Sequence, residues 1–187
     1  MVFDYSLTPG RTLFRPKELI ENQSPVISII TAYYNDEKHI FETANSVLNQ
    51  TYPYFEWIIV NDGSTSFDSP KVLADLADLD SRIKILHKIN TGPADTRDYG
   101  ANHSNNSSKY LLFLDSDDLL NPTYLECAYW TLETNAKASF AYTDLVNFGE
   151  QNFLWRKWFE LQTEKKDNML VLTALIRKED FFAVNRI

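Results

Sequence analysis

The chain predicts an α/β domain on a mainly parallel sheet, and three observations lead there. Val26–Thr31, Phe55–Val60 and Tyr110–Leu114 are apolar runs without polar alternation, the pattern of strands buried on both faces. Between such runs lie stretches with apolar residues at helical spacing, long enough for helices of about 10–14 residues. Strand, helix, strand is also the order of right-handed crossovers. Ligands of such sheets bind beyond the carboxyl ends of the strands. That rule selects Ala32–Asn35, Asn61–Ser64, the Asn90–Arg97 loop and Asp115–Asp118, all of them polar or rich in turn residues.

In chain order, residues 1–24, with Pro9-Gly10 and Pro16, read as an extension before the first strand. Glu37 to Leu48 places Ile40, Ala44, Val47 and Leu48 on one helical face. Strand Phe55–Val60 ends at Asn61-Asp62-Gly63-Ser64, where Asp62 suits an Asx-turn. Val72, Leu76 and Leu79 mark a second helix, and Ile83–Leu86 a short third strand. Pro93, just after Gly92, fits the first turn of a helix running to about Ser104. After Tyr110–Leu114 come a helix over Pro122–Asn135 and a strand at Ser139–Tyr142. Beyond Asp144 the pattern weakens into the aromatic, basic stretch Trp155–Phe159 and an apolar run at Met169–Ile176.

With 187 residues, 44% of them hydrophobic and 14% aromatic, the chain has enough material for one core. A formal charge of −8 and no basic stripe argue against nucleic acid as a partner. Cys127 is the only cysteine, so no intrachain disulfide forms and a reducing compartment is favoured. No run reaches the ~18 apolar residues of a membrane span. The expected location is the cytoplasm, free or against the inner face of the membrane.

Asp115, Asp117 and Asp118 follow a buried strand within four positions. Residues two apart in extended backbone share a face. Two carboxylates about 4 Å apart repel by roughly 4 kcal/mol at an effective dielectric near 20. A hard divalent cation held between them and a polyanion relieves that cost. An acidic turn, with Asp117 or Asp118 capping the helix near Pro122, is the other reading of the same residues. The five glycines, at 10, 63, 92, 100 and 149, permit neither a G-x-G-x-x-G fingerprint nor a P-loop. No G-x-S-x-G elbow is present, and His39, His87 and His103 are isolated. A nucleotide site here has to rest on carboxylates and a metal.

Five segments, taken in order, carry a family resemblance. They are Val26–Asn35, Ser46–Thr51, Phe55–Ser64, the Gly92…Arg97-Asp98…Gly100 stretch and Phe113–Asp118. Together they resemble the GT-A-fold glycosyltransferases of the large inverting family 2, continuously over residues 25–145 and more loosely to about 185. The resemblance implies a GT-A, Rossmann-like three-layer sandwich with a nucleotide-sugar-binding core at 25–145. Residues 146–187 would begin the acceptor side. By the same resemblance Tyr34 stacks on the nucleobase, Asp62 accepts its N–H, and Arg97 reaches the base or the diphosphate. As an exposed helix residue Arg97 could instead pair with Asp95 or Asp98. Ala32 and Ser116 fall among the nucleotide-binding positions. Asp117 matches the principal ligand of a Mn²⁺ or Mg²⁺ ion, Asp115 lies near ribose and metal, and Asp118 is a supporting or capping residue.

The implied reaction moves a sugar from a nucleoside diphosphate to an acceptor hydroxyl with inversion. The acceptor, whether saccharide, lipid-linked or protein, stays open, as does contact with a membrane surface or a second copy. Asn61 stands where many relatives have an acid, and Ala32-Tyr33 replaces a proline-containing turn. The family's acidic general base follows a glycine-rich turn that is expected beyond Ile187. Glu179-Asp180 sits too early and reads as a helix start, so Asp144 is the candidate base among these residues. Two rival readings are a nucleotidyltransferase and a non-catalytic nucleotide-sugar module. The first wants a glycine-rich basic loop near the first strand, where Tyr33-Tyr34-Asn35-Asp36 stands instead.

Overall fold

The computed structural model describes residues 24–148, 152–155 and 172–184. The N-terminal extension, apart from its last residue, lies outside them, as do 156–159 of the aromatic stretch and 169–171 of the late apolar run. Among the described residues, eight strands and five helices follow in the order β1 (Ile27–Tyr33), α1 (Ile40–Leu48), β2 (Phe55–Asp62), α2 (Ser69–Leu79), β3 (Ile83–Lys88), α3 (Pro93–Asn102), β4 (Tyr110–Phe113), α4 (Tyr124–Thr134), β5 (Phe140–Ala141), β6 (Leu145–Asn147), β7 (Phe153–Trp155), β8 (Leu175–Arg177) and α5 (Lys178–Ala183).

Six strands form one sheet in the order β3-β2-β1-β4-β8-β5. The first four are mutually parallel, while β8 runs antiparallel to both neighbours. The short pair β6-β7 stands apart.

Alternation along β1 sorts the layers. Ile27, Ile29 and Tyr33 pack on one face with Ile40, Ala44 and Val47 of α1, Leu73 and Leu76 of α2, and Leu125 and Leu132 of α4. Ile30 packs on the other with Ala101 of α3, Leu111 and Phe113 of β4, and Phe181 of α5. Both faces of the sheet are covered, which is why its strands read as unbroken apolar runs.

Buried Glu56, at the amino end of β2, has its charge answered by Lys84 Nζ (2.6 Å), Asn105 N (2.6 Å) and the Ser28 hydroxyl (2.5 Å).

The element boundaries differ from the sequence expectations in ways that matter for the site. Strands β1, β2 and β3 each run two residues past their expected ends, because parallel pairing carries the polar tails: Tyr33 stays registered with Asn61, and Asp62 with Lys88. Helix α1 starts at Ile40 rather than Glu37, α4 at Tyr124 rather than Pro122, and β5 is only two residues long. Glu179 and Asp180 do occupy the first turn of a helix, α5.

Helix α3 lies close on the sheet because Gly100 has no side chain. A Cβ there would stand 2.5 Å from Ile30 Cγ2 and 3.1 Å from Val60 Cγ2. Gly100→Ala is expected to cost about 1–3 kcal/mol through overpacking. It should lower the urea midpoint at constant m-value; an unmoved midpoint would mean that α3 can shift outward freely.

Candidate active site

The carboxyl ends of β1, β2, β3 and β4 share one edge of the sheet. At the end of β1, Tyr33 is fully buried while Tyr34 is 49% exposed on the rim. Asn35 follows with φ +52°, a left-handed conformation that Asn tolerates better than most residues. Its Oδ1 accepts from the N–H groups of Thr65 (2.8 Å) and Ser66 (2.9 Å), and its own N–H donates to Ser64 Oγ (3.1 Å). The loop that presents Tyr34 is thereby tied to the loop after β2. Ala32 is half-buried and still within the strand, paired with Val60.

Asp62 closes β2 and is 4% exposed. Its Oδ1 accepts from Lys88 Nζ (2.8 Å) and Thr91 N–H (3.0 Å), and its Oδ2 from Gly92 N–H (3.0 Å). Asp62 does not make the Asx-turn expected of it: Ser64 N–H donates instead to Asn61 Oδ1 (2.9 Å). Asp62 reaches across instead to the loop entering α3. Burial alone would raise its pKa, but Lys88, the two N–H groups and Thr96 outweigh that and hold it below the ordinary value. Lys88 behaves in the mirror sense. Burial lowers its pKa, Asp62 and Asp95 outweigh that, and the ammonium ends above its usual value. Sequence reasoning missed Lys88. Its signal lies in the β2–β3 register, which sets it directly beside Asp62.

Arg97, in the second turn of α3, points to the end of β4. Its Nη2 donates to Asp115 Oδ1 at 2.5 Å. Pairing with Asp95 or Asp98 does not occur, since residues one or two apart on a helix do not face each other. The acidic turn is anchored by Thr43 Oγ1 donating to the Ser116 carbonyl (2.7 Å) and by Asp118 N–H donating to the Asp115 carbonyl (3.2 Å). Asp117 is exposed. Neither Asp117 nor Asp118 caps α4, whose cap position is Thr123 and carries no side-chain capping bond. The pKa of Asp118 is pushed up to about 6, first by burial and then by the charges of Asp115 and Asp117.

That negative field, of which Arg97 answers only the Asp115 part, suits a cation. Among the described residues, however, no three His, Cys, Asp or Glu side chains converge as a ready-made metal cage. The donor set fits Mg²⁺ or Mn²⁺ held by one or two carboxylates, with phosphate oxygens and water completing the shell. Asp115 and Asp117 are the residues that would hold it.

Asp144 leaves β5 exposed. Since β5 and β4 are each antiparallel to β8, they run the same way, and Asp144 emerges at the same edge as Asp115. Two strand spacings separate those strands, about 10 Å in the sheet plane. The edge therefore gathers Tyr34, Asp62, Arg97, Asp115, Ser116 and Asp117, with Asp144 off to one side. No described helix is long and apolar enough to cross a membrane.

The family model for Glycosyl transferase family 2 matches residues 28–186. An uncharacterized glycosyltransferase of Rickettsia bellii is 39% identical over 125 residues, 67% of this chain and 17% of that protein. The putative glycosyltransferase EpsH of Bacillus subtilis is 36% identical over 104 residues, 56% of this chain and 29% of its own length. Among solved structures, S. aureus TarS 1-349 in complex with UDP-GlcNAc superposes with a TM-score of 0.67 at 22% identity, covering 84% of this chain and 46% of that one. The match with TarS extends to the fold. The chain thus spans less than a third of the length of the two glycosyltransferase relatives and just under half of the TarS chain.

Proposed function

Because the chain belongs to glycosyl transferase family 2, we propose that its described residues form the donor-binding part of an inverting transferase that moves a sugar from a nucleoside diphosphate to an acceptor hydroxyl. One observation supports this above the rest. Four parallel strand ends bring an exposed tyrosine, a buried carboxylate, an arginine and an acidic turn to one edge.

Tyr34 offers its ring face to the base, and Asp62, acceptor-only when ionised, takes a base N–H. Ala32 and Ser116 line the nucleotide. Arg97, balanced by Asp115, supplies positive charge toward the diphosphate. Asp117, with Asp115, would hold Mn²⁺ or Mg²⁺, which when bound neutralises charge developing on the leaving diphosphate. Asp144 is the carboxylate on the acceptor side that would take the proton of the attacking hydroxyl. With one cysteine in the chain, the cytoplasm is the proposed location.

A thermal-shift panel of nucleoside diphosphates with and without Mn²⁺ tests the donor reading. A ligand at 100 times its Kd adds about 2.7 kcal/mol of stability, and this is expected only when nucleotide and cation are both present. No shift with any nucleoside diphosphate would sink the reading.

A further inference from the structure

The carboxylate of Asp62 has fewer open positions than its charge suggests. An ionised carboxylate offers about four lone-pair positions. Lys88 Nζ and Thr91 N–H fill Oδ1, and Gly92 N–H takes one side of Oδ2. Those three bonds leave one acceptor position, on Oδ2, while the Thr96 hydroxyl oxygen accepts from Lys88 Nζ at 3.3 Å. The Asp62 side chain keeps 5% of its surface exposed.

Lys88 is itself fully engaged. Its ammonium has three protons to give, and five acceptors surround it: Asp62 Oδ1 (2.8 Å), the Ile89 carbonyl (3.0 Å), the Thr91 hydroxyl oxygen, the Thr96 hydroxyl oxygen (3.3 Å) and Asp95 Oδ2 (3.3 Å). With 9% of its side chain exposed, it is not placed to clamp a phosphate. Besides tying the loop that enters α3, it closes one side of Asp62.

We propose that Lys88 is a positioning residue for base choice: by occupying Oδ1 it leaves Asp62 a single acceptor, so the site takes a nucleoside diphosphate with one ring N–H between two carbonyls, the uracil and thymine pattern, and turns away guanine. This rests on the donor-binding reading above. Guanine presents a ring N–H and an amino N–H side by side, and a carboxylate matches both only with a free position on each oxygen. With Oδ1 closed, one of those donors is stripped of water and left unpaired. Adenine and cytosine set a ring-nitrogen lone pair where uracil has its N–H, so lone pair would face lone pair.

Calorimetric titration of UDP, dTDP and GDP in Mn²⁺ buffer tests this on the wild-type chain, Lys88→Met and Lys88→Gln. The wild type is expected to bind UDP and dTDP at least about tenfold tighter than GDP. Lys88→Met opens Oδ1 and should shrink the UDP-over-GDP ratio about tenfold. Lys88→Gln, whose amide donates to the same oxygen, should keep the ratio. A loop merely loosened by mutation would weaken all three nucleotides together; an unmoved ratio in Lys88→Met would therefore overturn the role of Lys88. GDP bound as tightly as UDP by the wild type would overturn the base assignment whether or not either variant folds. Binding of no nucleoside diphosphate would bring down the donor reading and this inference together, whereas binding without preference would bring down this inference alone.

Discussion

Asp117→Ala is expected to lower Mn²⁺-dependent nucleotide affinity by a factor on the order of 10² or more, with the fold unchanged. Changing residues that only support a metal's ligands typically costs 10–100-fold in metal affinity, so removing a ligand should cost at least that. Asp115 would remain as a ligand, but Arg97 already pairs with one of its oxygens. The fold should be indifferent, because Asp117 is exposed and the turn is held by Thr43 and by the Asp118 N–H. Removing one of several repelling carboxylates also relieves the burden on Asp118, whose pKa is raised partly by Asp117. The decisive pair of measurements is calorimetry with UDP in Mn²⁺ and in EDTA. A variant that still binds better in Mn²⁺ than in EDTA, by the wild-type margin, would remove Asp117 from the metal's ligands.

The parts of this fold that were legible in the sequence are those fixed by local pattern. β1, β2 and β4 announce themselves because helices cover both faces of the sheet, so no polar alternation interrupts them. Their ends were less legible. Asn61, Asp62 and Lys88 look like turn residues by composition, yet parallel pairing keeps them extended. Strand β8 could not be foreseen as a sheet member, since its three residues owe their place to pairing with Leu112 on one side and Ala141 on the other. The candidate site divides in the same way. Its carboxylates stand in recognisable motifs, but their partners are set by tertiary register. Arg97 finds Asp115 eighteen residues away rather than its own helix neighbours. Asp62 finds Lys88 twenty-six residues away, a pairing that no local spacing encodes.

Asp62→Ala is expected to cost about 3–5 kcal/mol of stability at neutral pH, the usual result of breaking a buried charged pair. Lys88, almost enclosed, would keep only the exposed Asp95 carboxylate (3.3 Å) as counter-ion, and the N–H groups of Thr91 and Gly92 would lose their acceptor. These losses are one network and do not add. Against a typical total of about 5–15 kcal/mol, this is enough to loosen the entrance to α3 and remove nucleotide binding with it. Removing both charges should cost less than removing one: Asp62→Ala combined with Lys88→Met leaves no buried ion and should recover part of the loss. The pH dependence has a definite sign. The folded-state pKa of Asp62 lies below the ordinary 3.8, so its contribution is present above that value and fades as pH falls through the folded-state pKa. Urea unfolding of wild type and Asp62→Ala should therefore show a large gap at pH 7 that narrows below about pH 4. A gap that stayed constant into acid would mean that the residue acts through packing and not through its charge. Equal stability at pH 7 would reduce the Asp62–Lys88 pair to a contact without consequence for the loop it joins.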